Sequence, residues 1–514
     1  MSLQELMRQR QEKLARWRAL GVEPYAYRYE PTHHAADILA WGDQVTAEPG
    51  RRVRLAGRIV ALRGHGKAGF AHLLDGSGKV QLYFRADRLA AQFERYELLD
   101  VGDWIGVEGP VFRTRTGEIT VRVEDLELLA RSLRPLPEKW HGLRDPETRF
   151  RQRYVDLFMN LGVRETFRRR ARLVTGLRRF LDERGYLEVE TPVLQPLYGG
   201  AFARPFVTRH NALDTDLYLR ISNELYLKRL IVGGLERVYE FSRDFRNEGM
   251  DRSHNPEFTL LEYYQAFADV HDMMALTEGL VASAVEAAAG VRALDYQGQR
   301  LDFAPPWARI SMLDAVGAAV GEDVSDLDAA KLARLARSRG IETRPGTGAG
   351  GLLDALFGEL VQPGLVKPTF VVDHPAETSP LARASRDRPD VVERFELFAA
   401  GMELANAFSE QNDPEAQRRA FEQQMARRAG GDEEAQMMDH DYVRALEYGM
   451  PPTGGVGIGV DRLAMLVTDS RSIREVILFP QLRPEEGIAE PEDEAEREAG
   501  APAPGGAEPG TSSA

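Results

Sequence analysis

The sequence contains no cysteine. Disulfides and thiolate metal sites are therefore excluded, and the composition suits a reducing compartment. No apolar run approaches the roughly 18 residues that a membrane-spanning helix needs. The opening stretch, MSLQELMRQRQEKLARWRAL, carries too much charge for a secretory signal and reads as an amphipathic helix. The expectation is a cytoplasmic chain with no membrane partner. Two phosphate-binding fingerprints are also missing. GGVGIGVDRLAML, residues 454 to 466, looks like a dinucleotide loop, but the G-x-G-x-x-G pattern counted from Gly455 ends on Val460. GHGKAGF, residues 64 to 70, fails as a P-loop. Ala61 stands where that loop needs its first glycine, and Ala68 replaces the hydroxyl that would meet magnesium. Nucleotide phosphates, if this chain handles them, are held another way.

What is present is ample for a large enzyme. The 514 residues allow two to four domains, with 43% hydrophobic and 28% charged residues as in ordinary globular proteins. The net charge of -14 argues weakly against nucleic acid, yet it is unevenly spread. Residues 485 to 514 hold nine acidic residues and one Arg, which leaves the body near -6. Basic stretches such as RRRARLVTGLRRF, 168 to 180, suit either phosphate contacts or a solvated helix face.

Residues 51 to about 130 alternate as short strands with glycine-rich turns, the pattern of a small five-stranded oligonucleotide-binding (OB) barrel. In GFAHLLD, Ala71 and Leu73 face one side, Phe70 and His72 the other. An outward aromatic on such a barrel either stacks on an unpaired base or is covered by a neighbouring loop. A proline-punctuated connector covers 134 to 153. Beyond it, helical periodicity at 164–183, 271–289, 327–339, 413–429 and 461–468 alternates with strand-like runs at 203–221, 236–247, 256–265, 369–373, 393–410 and 456–460. The expected fold class is α+β: the barrel, then an antiparallel sheet with surrounding helices. The expected boundaries are a helical extension at 1–45, the barrel at 46–145, the larger domain at 150–484 and a disordered acidic tail at 485–514.

The chemistry centres on FSRDFRNEGMDRSHNPEFTLLEYYQA, 241 to 266. If 256–264 is a strand, Phe258, Leu260, Glu262 and Tyr264 share a face. If 241–248 is its partner, Asp244, Arg246 and Glu248 share one too. Such a surface is either a salt-bridged, solvent-facing sheet or a lined pocket. The apolar Phe258 and Leu260 beside the charges favour the pocket.

FRNEG followed by HNPEFT resembles motif 2 of the class II aminoacyl-tRNA synthetases, in its lysine-specific form. GYLEVETPVLQP, 185 to 196, is similar to motif 1, the dimer-interface element, and GVGIGVDRLAML to motif 3. The resemblance covers roughly residues 1 to 483. It implies an ATP-dependent ligase that activates L-lysine and transfers it to tRNA(Lys), with Mg2+ as cofactor and a homodimer formed through motif 1, notably Pro192. Arg246 then bridges the substrate carboxylate and the α-phosphate, a task that suits a guanidinium fork. Arg462 meets the γ-phosphate and adenine, Phe258 stacks on the other adenine face, and Glu248, His254 and Asn255 complete the ATP contacts. Glu396 and Glu403 match the family's metal ligands. Their spacing of seven puts them on opposite faces of one regular strand, so a bend or bulge is required.

The resemblance assigns the lysine pocket as well. Glu410 and Tyr264 receive the ε-ammonium, with Glu262 and Phe408 nearby. Glu224 and the backbone of Gly200 hold the α-amino group, and Asn406 and Arg246 the carboxylate. An aspartate pocket would instead need a cation facing the substrate side chain, since a buried acid facing the wrong charge costs about several kcal/mol. Where the family often has glycine, this chain has Ala400, Ala405 and Ala407, and Gln411 replaces a leucine. On the barrel, Phe70, Gln81 and Arg58 fall at anticodon-reading positions. The glycines 455, 457 and 459 are expected to let the sheet and a helix approach closely. Two other functions compete: a non-catalytic tRNA-binding paralogue, and a ligase that attaches a lysine-like residue to a protein. Retention of Arg246, Arg462 and the metal carboxylates disfavours the first, and the barrel disfavours the second.

Overall fold

The computed structural model describes residues 2–137, 143–344, 346–430 and 435–484. The acidic stretch expected to be disordered, 485–514, lies outside the described residues. The chain divides into two compact units, Met1–Gly142 and Leu143–Ala514.

The first unit is the barrel. Six strands form it: β1 (Arg52–His65), β2 (Ala68–Leu74), β3 (Lys79–Arg85), β4 (Trp104–Arg113), β5 (Ile119–Arg122) and β6 (Asp125–Ala130). The pairings β1–β2–β3–β5–β4 close on themselves through β4–β1. The expected five strands thus close the barrel, and a sixth, β6, pairs with β4. Alternation decides which side chains fill the barrel: Val53, Leu55, Ala71, Leu73, Val80 and Leu82 are buried, while Phe70 points out. Helix α1 (Leu3–Ala19) starts with a capping box between Ser2 and Glu5. It is no separate extension. Its Trp17 is fully buried in the barrel's core cluster, and Arg10 and Lys13 bind Val101 O and Asp100.

The second unit begins earlier than expected, with a helix at Pro146–Arg151 capped by Asp145. Its frame is an eight-stranded sheet. In chain order the strands are β7 (Leu187–Glu188), β8 (Arg237–Phe245), β9 (Glu257–Ala266), β10 (Ala308–Ser311), β11 (Thr369–Pro375), β12 (Val391–Ala399), β13 (Met402–Ser409) and β14 (Thr453–Gly459). The spatial order is β10-β11-β12-β13-β14-β9-β8-β7. The inner pairings are antiparallel, as expected; the two outermost, β10–β11 and β7–β8, are parallel. The run 203–221 resolves into a short hairpin, Val207–His210 with Thr215–Leu219. One sheet face is covered by the long helices α2 (Leu161–Asp182) and α4 (Val270–Ala289), whose apolar stripes share a core with Leu261, Tyr263, Ala405, Ala407, Val456 and Ile458. The opposite face carries the polar residues.

Among the described residues, four helices of eight or more residues escape the periodicity reading: α3 (Glu224–Val232), Met312–Val320, Ala349–Leu360 and His440–Glu447. The second and third are short and nearly apolar, so they lack the two-sided pattern that marks a surface helix. They bury Leu313, Val316, Leu353 and Leu356 in a satellite core with Phe398.

Candidate active site

The register of β8 and β9 builds the floor. Asp244 pairs with Phe258, Ser242 with Leu260 and Glu240 with Glu262, so Asp244 shares a face with Phe258, Leu260 and Glu262, while Arg246 and Glu248 fall past the end of the strand. Arg246 lies just past β8, with its amide donating to Pro256 O at 2.8 Å. Its guanidinium sits 4.9 Å from the Phe258 ring centre, and its Nε is buried without a hydrogen-bond acceptor. A cavity of about 330 Å3 opens over this face. Gly200, Glu224, Arg246, Glu248, His254, Asn255, Phe258, Glu262, Tyr264, Glu403, Asn406, Phe408, Glu410 and Arg462 all line it. One expected member, Glu396, is not in the lining.

At one end, Arg462 opens helix α8 (Val460–Val467). It donates to Glu403 O at 2.8 Å, pairs with the Glu403 carboxylate at 3.3 Å and meets His254 Nε2 at 3.1 Å. The neighbouring Asp461 accepts from Thr259 N at 2.6 Å and pairs with Arg170 at 2.6 Å, which fixes the helix start against β9. Asn255 donates to Glu257 O at 2.6 Å and shapes the turn into β9.

The other end is acidic and buried. Glu262 accepts from Ser222 Oγ and from Tyr264 OH, each at 2.9 Å. Burial, then the nearby Glu224 and Asp244 charges, push its carboxyl up to about 8. Burial also raises Glu224 and Glu410, opposed in both by Lys228. Asp244 rises to about 6 for the same reason, against the pull of Arg220 and Arg246. Gly200 sits at φ +84°, and a Cβ there would lie 2.8 Å from Ser222 Oγ.

The run 393–410 is a hairpin rather than one strand. β12 and β13 are joined at Ala400 and Gly401, whose φ values are +53° and +73°. This is the turn chemistry of a tight hairpin. A bulge at Leu404 shifts the register, because Leu397 faces Ala405 while Phe398 faces Glu403. Glu396 and Glu403 therefore come to the same face from neighbouring strands. The required bulge exists, in a different setting. Arg394 holds Glu396 at 2.5 Å, Asn406 Oδ1 at 2.9 Å and Ser379 Oγ at 2.9 Å. Two carboxylates on one face suit a hard cation that shares its shell with phosphate oxygens. Among the described residues, no group of three His, Cys, Asp or Glu gathers as a self-sufficient metal site.

The glycines of β14 need correction. Gly455, Gly457 and Gly459 line the cavity, and of the three only Gly459 also nears a helix, where a Cβ would lie 3.8 Å from Arg462 Cδ. A Cβ on Gly455 would lie 2.1 Å from Glu410 Oε1 and 2.3 Å from the Tyr264 ring, while Gly457 has nothing nearer than 3.7 Å. Close approach to a helix belongs to Gly454, where a Cβ would meet Met273 at 2.4 Å. Ala405 and Ala407 pack into the core behind the sheet, Ala405 also reaching the cavity lining, and Gln411 accepts from Asp413 N at 3.1 Å.

A family model for class II tRNA synthetases (D, K and N) matches residues 145–483. The chain belongs to this family. A second model, an OB-fold nucleic-acid-binding domain, matches residues 53–129. The synthetase chain is 54% identical to the lysine–tRNA ligase of Carboxydothermus hydrogenoformans over 94% of its own length and 99% of that protein's. It is 54% identical to the lysine–tRNA ligase of Moorella thermoacetica over 94% and 98%. The figure is 52% for that of Chloroflexus aurantiacus over 94% and 99%.

On the synthetase's barrel, β2 and β3 bring Phe70, His72, Gln81 and Tyr83 to one outer face. Phe70, 39% exposed, stacks on Tyr83 at 4.7 Å. Gln81 bridges Glu118 at 2.6 Å and Thr120 at 2.8 Å. Arg58 is not brought to this group. The residue opposite Phe70 on β1 is Arg63, and Arg58 instead lies over Trp104 at 5.0 Å and donates to Gly102 O. Sequence reasoning also missed Ser222, Arg394 and Lys228, each of which touches an expected site residue. For Lys228 a signal existed, since it follows Glu224 by four residues on a helix.

Proposed function

We propose that the chain activates L-lysine with ATP and transfers it to the 3′ end of tRNA(Lys). In the first step a lysine carboxylate oxygen attacks the α-phosphorus, and the bond to the β-phosphate breaks to release pyrophosphate. In the second, a hydroxyl of the terminal tRNA ribose attacks the adenylate carbonyl and AMP leaves. The reading is carried by one observation: a single cavity has Glu224, Glu262 and Glu410 buried at one end, Arg462 and His254 at the other, and Arg246 on Phe258 between them.

Each group then has a task. Arg246 neutralises charge that grows on the α-phosphate while it orients the substrate carboxylate with Asn406. Phe258 offers a stacking face for adenine, and Arg462, Glu248, His254 and Asn255 bind the nucleotide. Glu410, Tyr264 and Glu262 receive the side-chain ammonium, while Glu224 and the Gly200 backbone receive the α-amino group. Phe408 walls the pocket. Glu396 and Glu403 would hold Mg2+, which supplies charge neutralisation for the phosphates when bound. Phe70 and Gln81 read the anticodon on the barrel's outer face. A homodimer is part of the same proposal, supported by the exposed Leu187, Val193, Leu194 and Leu197 around Pro192. Work in the cytoplasm belongs to it too; among the described residues no helix is long and apolar enough to cross a membrane.

The test is charging of tRNA(Lys) with labelled lysine by the full chain. Stable lysyl-tRNA is expected. Adenylate formation without any tRNA product would refute the second step and favour a protein acceptor.

A further inference from the structure

Lys228 has no counterpart among the tasks above, yet it is a fully buried charge beside the pocket's acids. It lies on α3, four residues after Glu224, so both side chains leave the helix on one face. Its side chain is 0% exposed. It does not line the cavity but stands directly behind the residues that do. The ammonium is 2.5 Å from Glu224 Oε1, is paired with Glu410 Oε2, and lies 5.1 Å from the Phe408 ring centre. One lysine thus touches both acids assigned to the two ends of the substrate, plus the wall between them.

The charge balance is specific. Glu224, Glu262 and Glu410 are all buried. Ionised together, three carboxylates would repel one another at the bottom of a pocket that water leaves when substrate enters. With Lys228 counted, two negative charges remain once an incoming ammonium has drawn the proton from Glu262. Free lysine brings two ammonium groups, and its carboxylate faces Arg246 on the other side. We propose that Lys228 is a positioning residue for substrate selection: a resident ammonium that aims Glu224 and Glu410 and trims the pocket's charge to match the two ammonium groups of lysine. The inference rests on the lysine reading given above.

The groups that face this ammonium are few. Glu224 comes from its own helix and Glu410 from the end of β13, while Tyr442 comes from the helix at His440–Glu447. Glu224 is further faced by Arg394 of β12, and Glu410 by Glu262 of β9. Burial alone would lower the Lys228 pKa, but Glu224 and Glu410 hold it above the ordinary lysine value. The side chain therefore stays charged, and the acids keep a counter-ion whether or not substrate is present.

The experiment compares wild type, K228Q and K228R in lysine-dependent ATP–pyrophosphate exchange from pH 6.5 to 9.5, with thermal melts alongside. For K228Q, the lysine KM is expected to rise about tenfold or more, the scale of one lost charge-assisted hydrogen bond. The ATP KM should stay within about twofold. The pH at which the lysine KM levels off should move up by about one unit or more, because Glu224 and Glu410 then hold protons. K228R, which keeps the charge, should retain the wild-type pH dependence even if its lysine KM rises. A folded K228Q with the wild-type lysine KM and pH dependence would overturn the inference. So would a K228R whose pH dependence shifts as far as that of K228Q. If K228Q does not melt cooperatively, K228R decides alone: a folded K228R whose pH dependence shifts by about one unit or more overturns the inference, and an unshifted one supports it. A wild type that exchanges with another amino acid removes the lysine reading itself; a lysine-active wild type with an unshifted K228Q removes only the role of Lys228.

Discussion

Replacing Gly455 by Ala puts a single methyl between Glu410 and Tyr264 in the pocket lining. Gly455 lies on β14 between Tyr264 on β9 and Phe408 on β13. The added Cβ would stand 2.1 Å from Glu410 Oε1 and 2.3 Å from the Tyr264 ring, far inside contact distance. No relaxed arrangement keeps both groups in place. If the carboxylate swings away, the substrate ammonium loses a charge-assisted partner worth about 1.5–3 kcal/mol, or roughly 10- to 150-fold in lysine affinity. If the ring moves instead, the Tyr264–Glu262 hydrogen bond at 2.9 Å breaks and a buried carboxylate loses a donor. Overpacking of this kind costs about 1–3 kcal/mol of stability besides. Lysine-dependent exchange should show the lysine KM up by one to two orders of magnitude with the ATP KM almost unchanged, since Arg462 and His254 stand at the other end. The melting temperature should fall by several degrees. An unchanged lysine KM in a folded G455A protein would show that Glu410 and Tyr264 do not hold the side-chain ammonium.

Other perturbations separate the parts of the account. Arg246→Ala should lower exchange by about a thousandfold or more while the melting curve stays close to wild type, because the guanidinium touches Phe258 and leaves Nε without an acceptor; a collapse of folding instead would mark it as structural. Phe70→Ala should weaken tRNA charging and spare exchange, and equal damage to both reactions would contradict the division of labour between barrel and sheet. Ala400→Gly should stabilise the chain by about 0.5–1 kcal/mol in denaturant unfolding, since Ala400 sits at φ +53° in the hairpin turn; no gain would show that the turn carries no strain. The pH dependence has a definite sign. Glu262 holds its proton up to about pH 8 in the free protein, and an incoming ammonium favours the carboxylate. The lysine KM should therefore fall as the pH rises from 6.5 to 8, by at most about tenfold per unit, and a KM flat over that range would contradict the assignment. The same raised pKa makes the unliganded protein lose stability as the pH rises from the unfolded value of 4.5 toward 8, because the folded state binds the extra proton there.

Much of the site was legible because it is written in local order. Strand alternation alone put Phe258, Glu262 and Tyr264 on one face, and the expected antiparallel partner adds Asp244 to it, in a register the sequence did not specify. The hairpin at Ala400–Gly401 was not legible, because 393–410 is apolar and polar by turns across both arms and its turn lacks the usual Asn-Gly or Gly-Gly pair. The carboxylates Glu396 and Glu403 were consequently placed on the wrong kind of element, though the demand for a bulge was sound. The glycine row of β14 misled for another reason: a sequence shows that side chains are absent, not which side needs the space. Lys228 was hidden by its type. A lysine on an amphipathic helix reads as solvated, and only the convergence of α3 and the end of β13 buries it between two acids.

The account stands or falls on which amino acid the pocket accepts. ATP–pyrophosphate exchange with each of the twenty amino acids in turn measures this without tRNA. Exchange with L-lysine alone is predicted; exchange driven by aspartate or asparagine, or by none of the twenty in the folded protein with ATP and Mg2+, would contradict it.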